Sequence, residues 1–215
     1  MLRLSRAHFP VTALGPGRRL GIWVQGCPLA CPGCMSLDTW APDAGVEVDE
    51  GELVELWRTA IGEGAEGMTI SGGEPLAQAE GLTRFLLEAN RMREGVPDPP
   101  DFLLYTGYEL TELSRRQRAV LDLVDAVITG RYDIRRPTRL IWRGSANQEL
   151  VARTELGRAR YAEYVDRVPL RPPMQLAVDA GRLWVVGVPP AGALHTMERA
   201  VRARGIQFEE VAWRP

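Results

Sequence analysis

The chain has 215 residues, 45% of them hydrophobic, and a formal net charge of -2. This supports one domain with a proper core and room for a small appendage. It argues against a nucleic-acid or membrane partner, and no run of about eighteen apolar residues exists to cross a bilayer. No lysine occurs, so all 26 basic residues are arginine. Schiff-base catalysis and a P-loop lysine are thereby excluded, and arginine does not deprotonate in proteins. Met1 to Pro10 carries Arg3 and Arg6 but no apolar run of signal-peptide length, so a cytoplasmic chain is expected.

In chain order, Leu2 to Val11 reads as an extended piece and Leu20 to Gln25 as a buried strand with which it pairs, after a turn at Gly15-Pro16-Gly17. Asp49 and Glu52 form a capping box. Leu53, Leu56, Trp57, Ala60 and Ile61 follow as one apolar helix face. Met68 to Ile70 is a short strand entering Ser71-Gly72-Gly73-Glu74-Pro75, and a helix follows with Leu82, Phe85, Leu86 and Ala89 on one side. Val96 to Pro100 ends it. Phe102 to Tyr105 is a strand, about Leu110 to Leu123 a helix, and Ala126 to Ile128 a strand before Thr129-Gly130-Arg131. This alternation predicts an α/β fold of parallel β/α units, with loops at the carboxyl ends of the strands forming the site. Beyond, Met174 to Val188 reads as a hairpin around Asp179-Ala180-Gly181, Ala191 to Arg204 as a helix and Ile206 to Trp213 as a final strand. The expected division is a core over 1–150 and a β-hairpin–α–β appendage over 151–215 with no chemical motif of its own.

All three cysteines fall in Cys27-Pro28-Leu29-Ala30-Cys31-Pro32-Gly33-Cys34, a C-x3-C-x2-C spacing. Clustered cysteines in a cytosolic chain point to metal more than to disulfides. A [4Fe-4S] cube normally takes four cysteines, so three leave one iron open to an outside ligand. A zinc site would want a fourth Cys or His. The only histidines, His8 and His195, are distant in sequence; His8 could fold back, and His195 reads as structural. Arg131, Arg135, Arg136, Arg139 and Arg143 crowd one segment with a single acid, Asp133. They read as a solvated face in preference to a docking surface. Tyr105 and Tyr108 read as packing residues in preference to ligand contacts.

The cysteine motif after the first strand, with Gly72-Gly73-Glu74-Pro75 after the second, resembles the radical S-adenosylmethionine superfamily. The framing Trp23-Val24-Gln25-Gly26-Cys27, the Cys31-Pro32-Gly33-Cys34 run, Tyr105-Thr106-Gly107-Tyr108 and Trp142-Arg143-Gly144-Ser145-Ala146-Asn147-Gln148 narrow it. Over roughly residues 10 to 150 the series is similar to the family that activates glycyl-radical enzymes. The resemblance implies a partial (β/α) barrel of the radical S-adenosylmethionine type, with Cys27, Cys31 and Cys34 holding a [4Fe-4S] cluster. It implies S-adenosyl-L-methionine as cofactor, bound by Gly33, Met35, Ser71, Gly72, Gly73, Glu74, Pro75 and Thr106. In that reading Glu74 opposes the methionine ammonium, and the adenine rests on backbone around Gly33 and Met35. The implied activity is reductive cleavage to a 5′-deoxyadenosyl radical that installs a glycyl radical on a partner such as anaerobic ribonucleotide reductase. The electron would come from flavodoxin or ferredoxin. The alternatives are a radical enzyme with another peptide or small-molecule substrate, and a non-catalytic iron–sulfur or zinc module.

Overall fold

The structure is a computed structural model and describes residues 1–179, 182–190, 192–208 and 211. Strand β1 (Leu2–Val11) pairs antiparallel with β2 (Arg19–Val24), Leu4 opposite Val24 and His8 opposite Gly21. The short β3 (Val46–Val48) extends the free edge of β1. On the other side β2, β4 (Gly67–Gly72), β5 (Asp101–Tyr105) and β6 (Ala126–Thr129) run parallel. An antiparallel β7 (Glu149–Ala152) closes the row, giving the order β3-β1-β2-β4-β5-β6-β7. This is a mixed α/β architecture on one large sheet, and no pairing joins β3 to β7 among the described residues.

Helices α1 (Glu50–Gly62), α2 (Ala79–Arg91) and α3 (Arg115–Leu121) are the crossovers between parallel neighbours, and α4 (Glu155–Tyr161) follows β7. The expected capping box is present: Gly51 N–H donates to Asp49 Oδ1 (2.8 Å) and Asp49 N–H to Glu52 Oε2 (3.1 Å), an arrangement worth about 1 kcal/mol. Leu53, Trp57 and Ala60 are buried as expected, whereas Leu56 falls at the edge of the apolar stripe and stays exposed. Helix α3 starts later than the expected Leu110, because Ser114 and Gln117 form a second capping box that begins it at Arg115. The buried Leu113 lies ahead of that cap and mimics a longer helical stripe.

Arg19 and Asp101, the first residues of β2 and β5, form a fully buried ion pair with 2.8 Å between Arg19 Nη2 and Asp101 Oδ1. Arg19 also donates to Thr69 Oγ1 and to the carbonyls of Pro16 and Met68. Burial opposes its charge, and the neighbouring Tyr161 and Asp101 outweigh that, holding the guanidinium above its ordinary range. The Tyr161 hydroxyl donates to Asp101 Oδ1 and so ties α4 to the sheet.

The expected boundary at residue 150 falls inside β7, which with α4 belongs to the large sheet. The segment with a sheet of its own is a hairpin of β8 (Met174–Asp179) and β9 (Arg182–Gly187), followed by α5 (Ala193–Arg202). The expected turn residues Ala180 and Gly181 lie outside the described residues. Of the expected final strand, residues 206–208 and 211 carry no strand and the rest lie outside the described residues. No helix among the described residues is long and apolar enough to cross a membrane.

Candidate functional site

The cysteine loop leaves β2 at Gly26 and is folded back against residues 38–41. Gly26 N–H donates to the Thr39 carbonyl (2.8 Å) and Cys27 N–H to that of Trp40 (3.1 Å). The buried Gln25 side chain pins the returning chain through the carbonyls of Asp38 (3.0 Å) and Ala41 (2.8 Å). The inner turn closes by Cys34 N–H to the Cys31 carbonyl (3.1 Å), with Ala30 and Gly33 at positive φ. Ser36 N–H donates to Cys34 Sγ at 3.4 Å, and the backbone N–H groups of Leu29 and Ala30 near Cys27 and of Tyr132 near Cys31 act as donors favouring their thiolates. Burial raises the pKa of Cys27 and Cys31, and those donors oppose the rise. N–H groups aimed at sulfur are what a buried thiolate requires, and they tune a metal bound to it. The thiols are not drawn onto one point: among the described residues no three Cys, His, Asp or Glu side chains form a set for a single ion. A cubane takes one thiolate per iron and needs no such convergence.

The glycine loop is built onto the same strand end. Gly73 N–H donates to the Val24 carbonyl (2.8 Å) and Glu74 N–H to that of Gly26 (2.9 Å). Those N–H groups are consumed internally, so the loop offers its carbonyls. Gly72, at φ +110°, and Gly73 both pack so closely that a Cβ would fall within 3.0 Å of backbone atoms of Val24 and Gly26 respectively. A Gly73→Ala chain is therefore expected to push the two loops apart. Iron loading on reconstitution should fall by about tenfold or more, in the range for losing a group that orients metal ligands, and iron analysis checks it.

Glu74 is 1% exposed. Its Oε1 accepts from Leu76 N–H (2.9 Å) and the Thr106 hydroxyl (2.9 Å), and its Oε2 from Gly107 N–H (2.7 Å). Burial raises its pKa against these donors. The carboxylate is thus a bracket between the loops after β4 and β5, not a free counter-charge, and acts on a bound cation only through space. Thr106 is engaged too, its Oγ1 accepting from Tyr108 N–H (3.1 Å). Pro75 is buried at the start of a 3-10 turn and does not line the site.

The other expected site residues meet in one cavity of about 480 Å³, which Cys27, Cys31, Gly33, Cys34, Met35 and Ser71 line together with Gly72, Gly73, Glu74 and Thr106. Tyr105 joins them with its hydroxyl donating to the Trp142 carbonyl (3.1 Å), while Tyr108 packs outside under Arg131. Gln148 closes the rim, accepting from Gly144 N–H (2.7 Å) and donating to the Gly130 carbonyl (3.0 Å). His8 meets Trp184 edge-on and is no part of the cavity, whereas His195, expected to be structural, stands exposed on its wall. In the arginine segment, Arg131 pairs with Glu112 and Arg135 with Asp133, while Arg136 and Arg139 are exposed, as a solvated face requires. Arg143 departs from that reading: it is buried and donates to the carbonyls of Tyr164 and Val165.

Three part-buried thiols, each with N–H donors, beside a glycine cradle at the carboxyl ends of parallel strands fit a single iron–sulfur cluster with an open coordination position. The 4Fe-4S single cluster domain family matches residues 13–151, so the chain is an iron–sulfur protein of that class. The anaerobic ribonucleoside-triphosphate reductase-activating protein of Haemophilus influenzae is 37% identical over 149 residues, 66% of this chain and 92% of that protein. Its counterpart in Escherichia coli is 35% identical over 148 residues, 66% of this chain and 93% of that protein. The chain belongs to the family of anaerobic ribonucleoside-triphosphate reductase-activating proteins. Among solved structures, QueE from Escherichia coli aligns at 14% identity with a TM-score of 0.42, over 62% of this chain and 73% of that one.

Proposed function

We propose that this chain is a radical S-adenosylmethionine enzyme that activates a glycyl-radical partner, anaerobic ribonucleotide reductase. The observation that carries this is the hydrogen-bonded seam between Val24–Gly26 and Gly73–Glu74, which sets the thiols and the glycine cradle on one cavity. Cys27, Cys31 and Cys34 hold the cluster and leave one iron for the amino-acid end of the cofactor. When bound, the cluster supplies the electron that splits S-adenosylmethionine into methionine and a 5′-deoxyadenosyl radical. Ser71, Gly72 and Gly73 offer carbonyls to the ammonium of the methionine moiety. Backbone around Gly33 and Met35 receives the adenine, since glycine at 33 leaves no ring to stack on. Glu74 and Thr106 position these loops and need not touch the cofactor. In this reading the sheet curves as a partial barrel of the radical S-adenosylmethionine type, and a reduced flavodoxin or ferredoxin delivers the electron.

Anaerobic reconstitution with iron and sulfide tests the reading. About four irons per chain are expected, with 5′-deoxyadenosine released when dithionite and S-adenosylmethionine are added. A fully loaded chain that binds no S-adenosylmethionine in calorimetry and releases no 5′-deoxyadenosine would be a non-catalytic module.

A further inference from the structure

The family match ends at residue 151, yet part of the cavity wall comes from beyond it. Val185, Val188, Pro189, Leu194 and His195, from the end of β9 to the first turn of α5, line the cavity that holds the three thiols. The hairpin is docked, not loosely appended. Gln175 donates to the Pro10 carbonyl (2.7 Å) and accepts from Thr12 N–H (3.0 Å), fixing β8 to the end of β1. Trp184 packs under Arg6, its ring centroid 5.4 Å from the guanidinium carbon, and meets His8 edge-on. Val186 is buried with Val11, Ala13 and Leu14, a contact worth about 1.5 kcal/mol or more.

The wall also has a chemical character. None of the chain's 26 arginines lines the cavity among the described residues; Glu74, held by three donors, is the only lining carboxylate there and His195 the only lining histidine. A charged acceptor would lose its water against the apolar side chains of Val185, Val188, Pro189 and Leu194, which costs several kcal/mol.

We propose that residues 185–190 and 192–195 are a specificity-determining wall, added to the family core, that selects an uncharged peptide segment as radical acceptor. The proposal rests on the radical S-adenosylmethionine reading above and names the face on which the acceptor lies.

Two variants test it: Val188→Glu, and His195→Glu at an exposed position where folding is not at stake. The probes are short peptides with α-deuterated glycine between valines, and the same peptides with the valines replaced by lysines. Peptide binding is read by calorimetry, and deuterium transfer into 5′-deoxyadenosine by mass spectrometry. Each variant should bind the neutral peptide and accept its deuterium about tenfold less or worse, and shift preference toward the lysine peptide, with S-adenosylmethionine affinity held within about twofold. Unchanged peptide preference overturns the wall, and so does a parallel fall in S-adenosylmethionine affinity, which would make these residues cofactor contacts. Neutral-peptide binding that the variants weaken, without 5′-deoxyadenosine from the wild type, would uphold the wall and sink the radical reading. 5′-Deoxyadenosine from a wild type that binds no peptide would do the reverse.

Discussion

A Cys31→Ala chain, reconstituted anaerobically with iron and sulfide, is expected to release 5′-deoxyadenosine at below about one hundredth of the wild-type rate. Loss of a group that only orients a ligand already costs 10–100-fold, and loss of the ligand exceeds that. Cys31 is the middle thiol of the loop. Its carbonyl accepts the Cys34 N–H, and the Tyr132 N–H near its sulfur favours the thiolate. The fold should survive, because the side chain is only part-buried and belongs to none of the three apolar clusters. The apo variant should unfold within about 0.5 kcal/mol of the apo wild type, as a substitution outside the core does. Calorimetry of both apo chains and the rate of the loaded ones check the two halves. Wild-type 5′-deoxyadenosine release from the variant would remove Cys31 from the ligand set.

The second large effect falls at the far end of the strands. Asp101→Ala should lower stability by about 3–5 kcal/mol, because it strands the fully buried Arg19 guanidinium without its counter-charge. For a chain of this length that is a fall in melting temperature of roughly 6–20 °C. Tyr161 loses its acceptor in the same change, so α4 loosens from β5. Removing both charges, with Arg19→Met and Asp101→Asn, should recover part of the loss, since no uncompensated buried charge is left. The pair sits at the first residues of β2 and β5, and the cavity at their carboxyl ends. The activity per folded chain should therefore hold at low temperature while stability drops. Thermal unfolding beside 5′-deoxyadenosine release measures this, and an equal loss of both at low temperature would contradict it.

Local chemistry was readable along the chain. Asp49 and Glu52 cap α1 as their spacing requires, and the three cysteines share a cavity with Ser71 to Glu74 because both loops leave neighbouring parallel strands. Short edge strands were not readable. Strand β3 has three residues and β7 four, too few for a period to show, and both are set by pairing with distant β1 and β6. The role of Glu74 was hidden for a related reason: its partners Thr106 and Gly107 lie 32 and 33 residues away. Gln25 and Gln148 stood inside recognisable motifs, but only the fold shows which carbonyls they hold. His195 and the apolar turn before it carry no motif at all. They reach the cavity because Gln175 and Val186 dock the hairpin on β1 and the segment that follows it.

The most direct test of the activating role mixes the loaded chain with anaerobic ribonucleotide reductase, S-adenosylmethionine and a low-potential reductant, and records the electron paramagnetic resonance spectrum. A glycyl radical on the reductase, with 5′-deoxyadenosine and methionine formed in step, is the expected result. 5′-Deoxyadenosine formed at full rate with no radical on the reductase would contradict it.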